Sequence, residues 1–164
     1  MTQIKSVQII GVPIDLGANI RGANMGPAAI RIAELQRKIG KLNVEIVDSG
    51  DIHVPIRETI EKEDADNKYL KQITQVCSDL ESKVYNSLKD GVTPIVIGGD
   101  HCIAMGSVAG TSRYFREKEE SIGLIWIDAH ADLNTPESSP SGNIHGMPLS
   151  ALLGDGHSDL VNLG

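Results

Sequence analysis

Three side chains able to hold a cation stand two residues apart in the stretch WIDAHAD: Asp128, His130 and Asp132. They follow an apolar run, IGLIW. In an extended backbone alternate side chains point the same way, so this spacing aims all three at one point. Two carboxylates converging there would repel, and one would take up a proton unless a positive charge lay between them. A divalent cation is the simplest compensator. A second apolar run, TPIVIGGDH, ends in Asp100 and His101. The preceding Gly98 and Gly99 allow a tight turn that brings His101 over the same edge. The candidate metal set is therefore His101, Asp128, His130 and Asp132. Nitrogen and oxygen donors without thiolate suit Mn, Fe, Co or Zn better than a thiol-rich structural site does. Alternating polar residues on an exposed strand would look alike, but this run is too apolar to be exposed.

The polar loop NTPESSPSGNIHG follows and delivers His145. Its Asn134, Ser141 and Asn143 offer neutral hydrogen-bonding groups that could hold a zwitterionic amino-acid head. Ordinary turn chemistry explains the same residues, and by themselves they favour that plainer account. His53 and His157 lack convergent neighbours and read as a loop residue and a surface residue. Cys102 follows His101 directly and points into the packing.

These segments need a scaffold that brings strand ends together. VQIIGVP reads as a buried strand ending in a loop, and NVEIVDSG as a second strand. TPIVIGG and SIGLIWID are the third and fourth. Pro27 opens a helix that Gly40 closes. EKEDADN reads as a solvated loop. Leu70, Ile73, Cys77, Leu80, Val84 and Leu88 fall at helical spacing, which makes Cys77 a core residue. AMGSVAGTSRYFRE reads as a further helix, HGMPLSALLG as a helix start, and DLVNLG as a loop. Apolar strands alternating with helices predict an α/β fold, a three-layer αβα arrangement with a mainly parallel sheet. In such sheets ligands bind beyond the carboxyl ends of the strands, where both polar clusters fall.

Composition agrees. The 164 residues are ample for one domain, 1–164, and short for two. The net charge of −7 and 3% aromatic content disfavour nucleic acid as a partner, which needs clustered cations and stacking surfaces. Nothing approaches a membrane span or a signal peptide, and two cysteines without metal or disulfide spacing fit a reducing compartment, so a cytoplasmic setting is expected.

GGDH at 98–101, DAHAD at 128–132 and SGNIHGMP at 141–148 together resemble the arginase branch of the ureohydrolases. GVPIDLG and RGANMGPAAIR match the same family in order and spacing. The loop NTPESSPSGNIHGMP narrows the likeness to arginase over agmatinase or formiminoglutamase. The resemblance implies manganese-dependent hydrolysis of L-arginine to L-ornithine and urea, part of arginine metabolism and the urea cycle. It implies two manganese ions, one held by His101 and Asp132 and the other by His130, with Asp128 bridging. His145 would be the catalytic acid/base, its ordinary pKa being suited to proton transfer near neutral pH. Asn134, Ser141 and Asn143 would bind the substrate's α-carboxylate and α-amino end. A homo-oligomer would be expected of a complete member.

Members of that family continue well past the equivalent of Gly164. They add parallel strands, a D-x-D pair that completes both metal shells, and acidic residues facing the guanidinium and α-amino groups. The chain is therefore expected to be a truncated, arginase-like piece, weak or inactive alone. Charge counting agrees: two manganese ions bring +4, and Asp128 and Asp132 supply −2. Two alternatives stand beside this reading. One is another ureohydrolase such as agmatinase; the other is a non-catalytic fragment that binds a full-length arginase through an uncovered sheet edge.

Overall fold

The computed structural model describes residues 4–66 and 68–164. Its centre is β1 (Ser6–Val12), whose Ile9, Ile10 and Val12 are fully buried. A loop leads to α1 (Gly26–Ile32) and α2 (Leu35–Gly40). Pro27 and Gly40 stand where the single expected helix begins and ends, but Glu34, at φ 63°, turns the chain and splits it in two. Then come β2 (Glu45–Asp51), α3 (Lys62–Asp66) and α4 (Leu70–Lys89). The charge run expected as a loop thus contains a short helix, with Asn67 outside the described residues. β3 (Thr93–Gly98) and α5 (Ala104–Arg116) follow. α6 (Pro148–Leu152) and α7 (Ser158–Val161) close the sequence, so DLVNLG begins inside a helical turn rather than a loop.

The strands form one parallel sheet in the order β2-β1-β3, with Val7 opposite both Ile46 and Thr93. β2 and β3 lie on opposite sides of β1. Right-handed crossovers therefore carry α1 and α2 over one face and α4 over the other, as the three-layer expectation requires. The core gathers β1, α4 and α5 through Ile10, Val12, Ile73, Cys77, Leu80, Val84 and Met105. α4 and α5 approach closely because α5 carries glycine where they touch: a Cβ on Gly106 would overlap the Cys77 carbonyl. Both cysteines are buried free thiols, and burial pushes the Cys77 thiol up to about 12. No helix among the described residues is long and apolar enough to cross a membrane.

One element departs from expectation. Residues 120–128 form no strand, and Ile125 and Ile127 are 86% and 93% exposed. The run is apolar enough for a buried strand, but a strand exists only by pairing, and none of the described residues pairs with it. So apolar a run is therefore exposed here, against the expectation that it must be buried. Among the described residues nothing pairs with the outer edges of β2 and β3 either.

Candidate metal centre

His101 stands on the most rigid support of the site. At the end of β3, Gly99 passes so close to the Ile14 carbonyl that any Cβ would overlap it. Asp100 is buried and does not face the site. Its Oδ1 accepts from the Cys102 backbone N–H (3.0 Å) and its Oδ2 from that of Gly17 (2.9 Å). It thereby caps the turn His101–Ile103 that leads into α5. The His101 ring hydrogen-bonds the His145 carbonyl through Nε2. That bond needs the proton on Nε2, which leaves Nδ1 as the lone-pair atom of the neutral ring. Nδ1 lies 3.4 Å from Asp128 Oδ2, and Nε2 lies 3.5 Å from Asp132 Oδ1.

The two aspartates reach this point from a turn, not from the extended strand that their spacing suggests. Asp128 Oδ1 accepts the His130 backbone N–H at 2.8 Å, bending the chain. That bond, more than any other contact, holds the Asp128 carboxyl below the usual carboxylate range. Asp132 adopts a left-handed conformation (φ 50°) and its carboxylate is 5% exposed. Its carbonyl accepts from Leu149 at the start of α6 (3.1 Å), and its Oδ2 accepts from Trp126 Nε1 (3.1 Å). Donor atoms of His101, Asp128 and Asp132 all lie within 4.8 Å of one another. His130 is outside this group: its Nδ1 is 3.3 Å from Asp128 Oδ1, and its ring is 82% exposed.

A recess of about 390 Å³ opens beside these donors, lined by His101, His130, Asp132, Asn134, Ser141, Asn143 and His145. The ring centroids of His145 and His101 are 5.6 Å apart. The turn that carries His145, Ile144–Gly146, is tied down by the bond from His145 N–H to the Gly17 carbonyl (3.1 Å). The Asn134 backbone N–H donates to the Gly146 carbonyl (3.0 Å), and its carbonyl accepts from Ser150 Oγ (2.6 Å). Ser141 Oγ accepts from the Asn143 backbone N–H (3.2 Å). A larger cavity, about 690 Å³, lies between α4, this loop and α7, and His157 lines it. The smaller recess is the candidate site, because only there do the imidazoles and a buried carboxylate converge. His53 lies in the loop after β2, as expected.

Two residues at the site escape the sequence reading. Trp126 lies two positions before Asp128, and a half-buried indole N–H seeks an acceptor, so period two could have flagged it. Lys68, whose Nζ lies 3.5 Å from Asn143 Oδ1, carries no such signal.

Comparisons with known proteins fit this geometry. A family model described as Arginase family matches residues 5–164. Arginase of Bacillus subtilis (strain 168) is 45% identical over 97% of this chain and 52% of its own length. The solved structure of arginase from Bacillus caldovelox superposes with a TM-score of 0.89 at 44% identity, covering 98% of this chain and 52% of that one. Entamoeba histolytica arginase in complex with L-ornithine superposes at 0.85 with 30% identity, covering 99% of this chain and 54% of that one. The chain spans about half the length of the curated relatives that it matches.

Proposed function

The chain belongs to the arginase family, and from that premise we propose that it carries the His101 side of an arginase site, acting in the hydrolysis of L-arginine to L-ornithine and urea. The observation that carries this reading is the convergence of His101, Asp128 and Asp132 at the carboxyl edge of the sheet. Their chemistry fits a divalent cation. A buried carboxylate and a second one meet an imidazole, and the −2 charge matches one ion. Manganese is the metal proposed, since hard oxygen donors with an imidazole suit it. Two ions would need His130 to turn inward, and donors beyond these four.

When bound, such a cation would lower the pKa of water and supply a nucleophile near neutral pH. The chain's own residues do the rest. His145, across the recess from His101, moves the proton to the leaving amine. Asn134, Ser141 and Asn143 take the α-carboxylate and α-amino end, fixing the guanidinium toward the aspartates. Ornithine has the same α-carboxylate and α-amino end, and the E. histolytica relative is described in complex with it. The two free buried cysteines fit a reducing, cytoplasmic setting. Urea release by the purified chain under Mn²⁺ titration, beside an Asp132→Asn control, tests the reading. Slow turnover that needs Mn²⁺ and falls in the control is expected; an absence of Mn²⁺ binding would refute it. A second reading, association with a longer relative, is favoured by the unpaired, exposed residues Ile125 and Ile127. Co-purification with such a relative would support it.

A further inference from the structure

A side-chain amide has an acceptor end and a donor end, and its orientation decides what it can bind. Asn143 is 8% exposed and lines the recess. Lys68 Nζ lies 3.5 Å from its Oδ1. An ammonium has donors only, so this contact fixes the carbonyl end of the amide toward Lys68. The two Nδ2–H donors are left for the recess.

Lys68 reaches Asn143 from a strained backbone. Lys68 and the next residue, Tyr69, are both left-handed, at φ 56° and 57°. Neither is glycine, and such conformations persist only where the surroundings over-determine them. Here they do. The Tyr69 backbone N–H donates to the Asp64 carbonyl at 2.8 Å. Its ring lies beneath the Arg57 guanidinium, 4.9 Å from the centroid. Arg57 in turn donates to the carbonyls of Asp15 and Ala18. Between these two lies Gly17, whose carbonyl takes the His145 N–H. The strained turn is thus joined to the loop that holds His145. Across the contact, Gly142 (φ 69°) runs against the lysine stem: a Cβ there would lie 3.5 Å from Lys68 Cε.

We infer that Lys68 is a positioning residue for amino-acid recognition: it holds the Asn143 amide so that its N–H donors face the substrate's α-carboxylate. This rests on the arginine reading above. It makes Lys68 a source of selectivity for arginine over agmatine, the same guanidino compound without the carboxylate.

The test uses the full 164-residue chain with Mg²⁺, a diamagnetic stand-in for Mn²⁺ that leaves nearby signals sharp, comparing wild type, Lys68→Met and Lys68→Arg by NMR. The Asn143 side-chain amide signals are recorded first, then titrations with L-arginine and with agmatine. Lys68→Met is expected to shift the Asn143 signals, weaken arginine binding about tenfold, as loss of one charge-assisted hydrogen bond would, and leave agmatine binding unchanged. Lys68→Arg, which keeps charge and donors, should retain arginine affinity. Unmoved Asn143 signals, unchanged arginine affinity, or an equal loss for both ligands would each overturn the inference. A wild-type chain that binds both ligands alike, or neither, would remove the arginine reading and this inference with it. The Asn143 signals would then show whether the Lys68 contact exists apart from substrate.

Discussion

Replacing Trp126 by Phe should weaken Mn²⁺ binding by about tenfold to a hundredfold while leaving the chain folded. The indole N–H donates to Asp132 Oδ2 at 3.1 Å, and that carboxylate is 5% exposed, so little water can replace the donor. A hydrogen bond to a charged group is worth roughly 1.5–3 kcal/mol, which converts to about that range of affinity. An opposing effect exists, because losing the donor concentrates charge on Asp132 and favours the metal. Orientation should win. Asp132 enters from a left-handed turn, and Trp126 is what aims its second oxygen. Phenylalanine keeps the edge-on packing against His101, whose centroid is 5.9 Å away, so lost packing is a small part of the effect. Free Mn²⁺ would be measured by electron paramagnetic resonance during titration of wild type, Trp126→Phe and Asp132→Asn. As the only tryptophan in the sequence, Trp126 also reports binding in the wild type by fluorescence quenching. Equal affinities for wild type and Trp126→Phe, with binding abolished in Asp132→Asn, would refute the orienting role.

Three further outcomes are expected. Cys77 and Cys102, fully buried with raised thiol pKa values, should resist alkylation in the native chain and react on unfolding, as mass spectrometry would read. Arg31 grips Asp48 through two bonds of 2.7 and 2.9 Å, which chiefly hold the Asp48 carboxyl below its ordinary range. That stabilisation is present above the unfolded pKa and lost as pH falls through the folded one. The deficit of Arg31→Met, on the order of 1 kcal/mol at neutral pH, should therefore close in acid, as urea melts at several pH values would show. Replacing Ile125 and Ile127 by lysine should reduce self-association in light scattering without altering thermal stability, since both side chains already face solvent.

The sequence made the three paired strands and α4 legible because each carries its own signal: β1 is apolar on both faces, and α4 repeats Ile73, Cys77, Leu80 and Val84 at helical spacing. The segment 120–128 has an equally strong apolar signal, yet forms no strand. Apolarity reports what would be buried, and pairing depends on a neighbour that local sequence does not name. At the site, residue identities were legible and backbone paths were not. Period two aims Asp128 and Asp132 at one point along an extended strand; in the structure they meet His101 through an Asx turn and a left-handed residue instead. The same turn leaves His130 in solvent, although alternation gave it the same aim as its neighbours. Lys68 was invisible because its partner, Asn143, lies 75 residues away.

The two halves of the metal-capable group therefore differ in how firmly they are held. His101 is anchored by β3, by the close approach of Gly99 to Ile14, by the Asp100 cap and by α5. Asp132 is fixed to α6 through the bond from the Leu149 N–H to its carbonyl. Asp128 hangs from a segment with no strand partner among the described residues, its carboxylate steadied by the His130 N–H and the His101 ring. Holding a backbone in one conformation costs on the order of 1 kcal/mol per residue, and where no strand ladder shares that cost it falls on the contacts at Asp128 and on any cation that uses it. Affinity should then depend on whatever pairs with residues 120–128 as much as on the ligands themselves. Any partner strand that ordered this segment would tighten metal binding without touching the metal, because it would remove an entropic penalty that otherwise falls partly on the ion.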